Sequence, residues 1–128
     1  MFSHIALGSN DIARSKRFYD AILGATGCEP VEPNARGRLI YTHRGGRLVI
    51  LPPLNGEPAT AGNGSTIGFA MNSPEEVNAW HKAGVANGGV AIEDPPGVRH
   101  SPMGDLYLAY LRDPDGNKLC AGHLMASE

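Results

Sequence analysis

The feature that most constrains the fold of this chain is an internal repeat. Residues 4–10 (HIALGSN) return in related form as residues 66–72 (TIGFAMN), and each copy precedes a segment with helical periodicity. Two copies of one strand-helix unit predict two half-modules that curl against each other and share one cleft. The copies differ at their first position, which is His4 in one and Thr66 in the other.

Composition excludes several functional classes. The chain has 128 residues, 41% of them apolar, which suffices for one compact domain with its own core. A net charge of −2 without a basic block argues against nucleic acid or an anionic membrane as partner. No export signal and no apolar run of about 20 residues is found. We therefore expect a cytoplasmic protein whose two cysteines, Cys28 and Cys120, are free thiols.

The first half predicts the order β-α-β-β-β. A strand over residues 2–8 leads to a helix capped by Asn10 and ended by Gly24. The strands that follow are predicted at 28–32, 38–43 and 47–51. The first module then spans about residues 1–52, and residues 53–64, rich in proline and glycine, form a linker.

The second half, about residues 65–126, predicts the same order. Ser73 and Glu76 form a capping box that starts a helix whose buried face includes Val77, Trp80 and Gly84. A short strand at 90–93 and a polar loop around 95–104 are predicted next. The last two strands, 106–112 and 118–124, flank the turn sequence DPDGN at 113–117.

These motifs resemble the vicinal oxygen chelate superfamily, which includes glyoxalase I, extradiol dioxygenases, and bleomycin and fosfomycin resistance proteins. The resemblance rests on a first strand of the form Phe-x-His-Ile, a helix with Phe18-Tyr19 and Leu23-Gly24, and the DPDGN turn. It implies an α+β fold in which two tandem βαβββ modules form a curved mixed sheet around a cleft. It also implies a homodimer, with modules pairing within or between chains.

In the metal-dependent members of that superfamily, a divalent ion in the cleft binds vicinal oxygens of the substrate. The resemblance places its ligand positions at His4, Thr66, Ile50 or Leu51, and Cys120. Only His4 is a good ligand, and a His and Cys pair suits zinc or copper better than the harder ions. We therefore expect no cofactor, and a divalent metal at His4 only if another residue, such as Tyr41 or His100, completes the site.

The candidate site residues each have a functional and a structural interpretation. His4 is a metal ligand or catalytic base, or a cleft histidine that only hydrogen-bonds. His100, on a predicted loop, is a general base or substrate contact, or is solvated. We predict substrate contacts at Thr66 and at a further set of side chains that packing or solvation would also explain: Arg38, Tyr41, Tyr107 and Cys120.

Two functions follow from the resemblance. One is a glyoxalase-like enzyme, a lyase, isomerase or dioxygenase relative, acting on a small oxygenated molecule with an atypical or absent metal site. The alternative is a non-catalytic protein that binds or sequesters a small organic molecule, as the bleomycin resistance proteins do. Missing metal ligands favour the binder, whereas an aromatic content of only 6% offers few stacking surfaces for it. The sequence leaves open whether the chain is an enzyme.

Overall fold

The computed structural model describes residues 1–125, which fold into nine regular elements that follow the internal repeat. The last residue of the predicted second module, 126, lies outside the described residues. In chain order the elements are β1 (Ile5–Gly8), α1 (Ile12–Gly24), β2 (Leu39–His43), β3 (Gly46–Leu51), β4 (Ile67–Ala70), α2 (Pro74–Ala86), β5 (Val90–Ser101), β6 (Gly104–Arg112) and β7 (Lys118–Leu124).

The strands form two sheets, one for each module. The first has the order β1-β3-β2 and the second β4-β7-β6-β5. In both sheets the first strand pairs in parallel with the last strand of its module, and the remaining pairs are antiparallel. The α+β class is thereby confirmed, with two open sheets among the described residues where a single curved sheet was expected.

The helices begin where local chemistry predicts. Ser73 caps α2 by accepting a hydrogen bond from the Glu76 backbone N–H at 3.1 Å. The Glu76 carboxylate accepts from the Asn72 backbone N–H at 3.1 Å, which completes a capping box one residue earlier than usual. The cap of α1 is Asp11, one residue after the predicted Asn10.

Asn10 instead holds the linker. Its side-chain amide donates to the Ala59 carbonyl at 3.1 Å, and its side-chain carbonyl accepts from the Ala59 N–H at 2.7 Å. A Cβ built on Gly8 would lie 2.8 Å from the Ala59 side chain, so glycine at position 8 allows this close approach. The linker is therefore fixed against the end of β1.

The core lies between the helices and one face of each sheet. From α1 it takes Phe18, Tyr19 and Ile22, and from α2 it takes Val77 and Trp80, the predicted face of that helix. The two helices also pack against each other, which joins the modules. The side-chain indole N–H of Trp80 is the one buried polar side-chain atom without a partner among the described residues.

The predicted strand at 28–32 is wrong, because this segment has no strand structure. Pro30 and Pro33 lack the N–H groups that a strand ladder needs. The segment is held by a side chain instead, since the Val31 N–H donates to Asp20 Oδ1 at 3.3 Å. The first sheet thus has one strand fewer than the second.

The predicted loop at 95–104 is also wrong. Strand β5 continues to Ser101, because a bulge between Ile92 and Gly97 absorbs the two prolines and the ladder resumes beyond it. Glu93 in the bulge has a positive φ of 58°. The connection to β6 is a tight turn at residues 102–103.

Candidate functional site

His4 projects away from the core of the first module. It directly precedes β1, in which Ile5 and Leu7 pack against the core, so alternation directs His4 to the opposite face. Its side chain is exposed, and Nδ1 lies 2.8 Å from the hydroxyl of Ser3. Of the two alternatives for the last strand of this module, Ile50 is buried in the core and Leu51 is half-buried on the other face.

Arg38 and Thr66 each lie just outside a strand. Arg38 precedes β2, and the Asn34 side chain accepts a hydrogen bond from its backbone N–H at 3.0 Å. Thr66 precedes β4 and is exposed. Alternation directs Thr66 to the same side of the second sheet as Gly68. Neither side chain has a hydrogen-bonding partner among the described residues.

The face of the second sheet away from α2 carries a row of polar and ionisable side chains. Cys120 on β7 lies between Gly68 on β4 and Tyr110 on β6, because these residues are direct cross-strand partners. Glu93, Arg99 and Lys118 approach the same row. We call this surface the open face and define it by these six residues: Gly68, Glu93, Arg99, Tyr110, Lys118 and Cys120.

The thiol and the phenol of the open face are neutral hydrogen-bonding groups. Burial raises the pKa of the Cys120 thiol, and the neighbouring Tyr110 hydroxyl only partly opposes that shift. Burial also raises the pKa of Tyr110. The protonated thiol donates to the Ala121 carbonyl, with the sulfur 3.6 Å from the oxygen. At neutral pH the free thiol of Cys120 is therefore protonated, which disfavours a role as a nucleophile.

Charged side chains surround this pair. The Lys118 ammonium lies 5.0 Å from the centroid of the Tyr110 ring, a cation–π contact, and forms an ion pair with Glu93. The Arg99 guanidinium donates to the backbone carbonyls of Asp94, Pro95 and Gly97 at 2.9 to 3.1 Å. The bulge of β5 thus both places Glu93 and fixes Arg99.

Two predicted site residues lie on the opposite face. The Tyr107 hydroxyl donates to Asn78 of α2 at 2.8 Å, so its ring faces the helix. His100 lies on β5, not on a loop, and pairs with Asp105, with Nδ1 2.7 Å from Oδ1. Its side chain is 84% exposed. Strand alternation thus places His100 and Tyr107 on the face of the second sheet opposite Cys120.

Tyr41 lines a groove that shares only Gly68 with the open face. This groove of about 390 Å³ runs between the modules along strand β4. Tyr41 forms part of its floor, and its hydroxyl donates to Asp20 at 2.8 Å. The groove is mainly apolar, with Arg44 and Arg47 among its polar groups. Its lining residues are Ile5, Leu23, Thr26, Tyr41, His43, Arg44, Gly46, Arg47, Leu48, Ile67, Gly68, Phe69, Ala70, Met71 and Asn72.

Sequence comparison assigns the family. The model of the Glyoxalase/Bleomycin resistance protein/Dioxygenase superfamily matches residues 1–121. The chain belongs to this superfamily. A comparison with curated proteins finds no match.

Solved structures agree with the assignment. The chain is similar to a glyoxalase/bleomycin resistance protein from Albidiferax ferrireducens, with 56% identity, a TM-score of 0.92, and coverage of 96% of this chain and 98% of the other. A family enzyme from Burkholderia phytofirmans has 18% identity and a TM-score of 0.73 over 96% and 98% of the two chains. A lactoylglutathione lyase from Agrobacterium tumefaciens has 20% identity and a TM-score of 0.66 over 96% and 92%. The latter two likenesses show the fold alone.

The side chains present do not fit the divalent metal expected in metal-dependent members of the superfamily. Within residues 1–125, no three His, Cys, Asp or Glu side chains lie close enough together to hold an ion. Cys120 supplies a thiol where the resemblance expects a carboxylate, and the carboxylate of the open face, Glu93, is paired with Lys118. Hard ions such as Mg²⁺ prefer oxygen ligands, and this donor set supplies too few.

Of the six residues of the open face, only Cys120 was a predicted site residue, although alternation along its strand also places Lys118 on the same face. Tyr110 could have been found, because the turn at 113–117 fixes the register of its hairpin and so sets residue 110 opposite residue 120. Glu93 and Arg99 have no comparable signal. Their positions depend on the bulge, which shifts the register of β5 within a segment that looks like a loop.

Proposed function

We propose that this superfamily member binds a small organic molecule without a metal, and that the open face forms one wall of the binding cleft. The observation that supports this proposal is the cross-strand pair of Tyr110 and Cys120, which presents neutral hydrogen-bonding groups at the position of a metal-binding carboxylate. Binding through such groups requires shape and hydrogen bonds only. Catalysis is not needed to account for the site.

Space beside Cys120 supports the same proposal. A Cβ built on Gly68 would meet no atom within 4 Å, so the strand next to Cys120 leaves room on this side. The Tyr110 ring supplies an aromatic surface, and its hydroxyl supplies a hydrogen-bonding group. A compact organic molecule bearing an oxygen acceptor matches these features.

A thermal stability screen with small organic compounds tests the proposal. A ligand at 100 times its dissociation constant stabilises the folded protein by about 2.7 kcal/mol. Gly68→Leu fills the space beside Cys120 and should abolish the stabilisation. Gly24→Leu, at a helix end with equally open surroundings, is the matched control and should retain it.

A further variant separates the open face from the groove, because Gly68 borders both. Gly46 lines the groove only, so Gly46→Leu should leave ligand binding intact. Loss of binding in Gly46→Leu with binding retained after open-face substitutions would assign the ligand to the groove. Stoichiometric divalent metal in protein purified without chelator, lost in His4→Ala, would contradict the metal-free part of the proposal.

We propose in addition that the chain forms a homodimer. Strands β1 and β4 are sheet edges with unpaired backbone groups, a feature that favours pairing with a second chain. Sedimentation equilibrium gives the mass directly, and a monomer at all concentrations would refute this.

We place the protein in the cytoplasm, where Cys28 and Cys120 would stay reduced. Neither helix in the described part of the chain meets the length and hydropathy that crossing a bilayer requires.

A further inference from the structure

The open face is more cationic than the rest of the chain. It carries Arg99 and Lys118 against one carboxylate, Glu93, in a protein whose net charge is −2. Arg112 is the cross-strand partner of Lys118 and adds a third cation at the edge of the row. A ligand on this face therefore meets a local excess of positive charge.

The side chain of Arg99 is held in place by neutral acceptors, and no carboxylate of the described residues compensates its charge. Its guanidinium has five N–H donors, and the structure gives three hydrogen bonds, all to backbone carbonyls of the bulge. Those carbonyls are neutral, and no carboxylate of the described residues lies within ion-pair distance of Arg99. Arg99 is therefore a positioned cation, and some of its N–H donors have no partner among the described residues.

Arg44 shows what a structural arginine looks like in this protein. Its guanidinium forms two hydrogen bonds to the Glu76 carboxylate, at 2.5 and 2.8 Å, and a third to the Thr26 carbonyl. Its charge is compensated inside the fold. Arg99 forms the same number of hydrogen bonds, but without a compensating anion among the described residues.

We propose that the ligand of the open face is a small organic anion, a carboxylate attached to a compact flat body. Its carboxylate lies between Arg99 and Lys118, and its body rests on the Tyr110 ring and in the space beside Gly68. This inference rests on the proposed function, because it names the class of ligand that the same face takes. Glu93 competes with the ligand for Lys118, so it limits the affinity.

Three probes of one shape and different charge test the inference. Benzoate, benzamide and benzamidine are nearly isosteric and carry one negative charge, no charge and one positive charge. Isothermal titration at low ionic strength should give benzoate an affinity at least about tenfold above that of benzamide, with benzamidine weaker still. Benzamide binding as tightly as benzoate, or benzamidine binding best, would overturn the inference.

Variants of the open face give effects of opposite sign. Lys118→Met should lower benzoate affinity about tenfold, and Glu93→Gln should raise it, because the competing carboxylate is gone. Benzamide affinity should change little in both. Arg36→Gln, a loop cation outside this face, is the control and should match the parent protein for all three probes. An equal loss of benzoate and benzamide in Lys118→Met would contradict the role given to its charge.

The outcomes separate this inference from the proposed function. Failure of benzoate to bind overturns the anion inference, whereas the proposed function stands or falls with the wider compound screen. A neutral compound from that screen that binds the open face, and whose binding Gly68→Leu abolishes, would support the proposed function and reject the anion.

Discussion

The two faces of the second sheet differ in how completely the fold uses them. On the face toward α2, Leu111, Leu119 and Ala121 are fully buried. On the open face, Gly68 has free space beside it, and Arg99 has no anionic partner among residues 1–125. One face of the sheet is thus packed into the core, and the other leaves open space and a cation without an anionic partner in the described part of the chain.

Two tyrosines, Tyr19 in the core and Tyr110 on the open face, show the same contrast. Tyr19 of α1 is fully buried, and its hydroxyl donates to Asp113 at 2.5 Å. Asp113 also accepts from the backbone N–H groups of Asp115 and Asn117, each at 2.9 Å. The polar groups of this cluster therefore find their hydrogen-bonding partners within the protein. Tyr110 is half-buried, and its hydroxyl has no comparable set of partners within residues 1–125. Buried polar clusters with all partners present stabilise a fold, and incomplete ones can accept a ligand.

The largest predicted effect is the loss of Asp113. Asp113→Ala removes the acceptor for Tyr19 and for the turn, leaving several buried donors unsatisfied, so the free energy of unfolding should fall by about 3 kcal/mol or more. Urea denaturation followed by the fluorescence of Trp80, the only tryptophan, measures it.

Asp105→Ala is the control for that experiment. Asp105 also bonds a ring, that of His100, but at an exposed position, so its removal should cost less than about 0.5 kcal/mol. Equal effects of the two substitutions would mean that closure of the Tyr19 cluster does not stabilise the protein.

A pair of glycines compares the two faces directly. A Cβ on Gly84 of α2 would lie 2.3 Å from Leu111 Cδ1, whereas one on Gly68 would touch nothing within 4 Å. Gly84→Ala should therefore lower the stability by about 1–3 kcal/mol through overpacking. Gly68→Ala should change it by less than about 0.5 kcal/mol. Thermal unfolding of both variants checks this, and a neutral Gly84→Ala would show that the helix can move away from the sheet.

Local chemistry made much of the fold predictable. The capping box at Ser73 and Glu76, the buried face of α2 and the turn at 113–117 depend on neighbouring residues, and the structure agrees with each. The errors occur where a distant contact decides. The segment at 28–32 is held by Asp20 instead of a strand partner, and β5 continues past its prolines because β6 pairs with it again.

The candidate site was less predictable for the same reason. Alternation along β7 places Cys120 and Lys118 together without any knowledge of the partner strands. Alternation alone cannot place Arg99 beside Cys120 and Lys118, because the position of Arg99 depends on the bulge in β5 and its register shift. The sequence also could not assign His100 to a face, since treating its segment as a loop removes the strand alternation that places it on the face opposite Cys120.

A smaller loss of stability than for Asp113→Ala or Gly84→Ala is predicted for the ion pair that distinguishes Arg44 from Arg99. The hydrogen bonds from Arg44 hold the pKa of Glu76 below its ordinary value, so the ionised form is favoured in the folded protein. This stabilisation is complete above the ordinary glutamate pKa of about 4.3 and is lost as the pH falls through the lower folded value. Glu76→Gln should thus lower stability at pH 7 by about 0.5–1 kcal/mol. The parent and the variant should converge as the medium becomes more acidic than about pH 4. A difference that persists unchanged in acid would show that Glu76 acts through its cap to Asn72, which glutamine retains in part, and not through its charge.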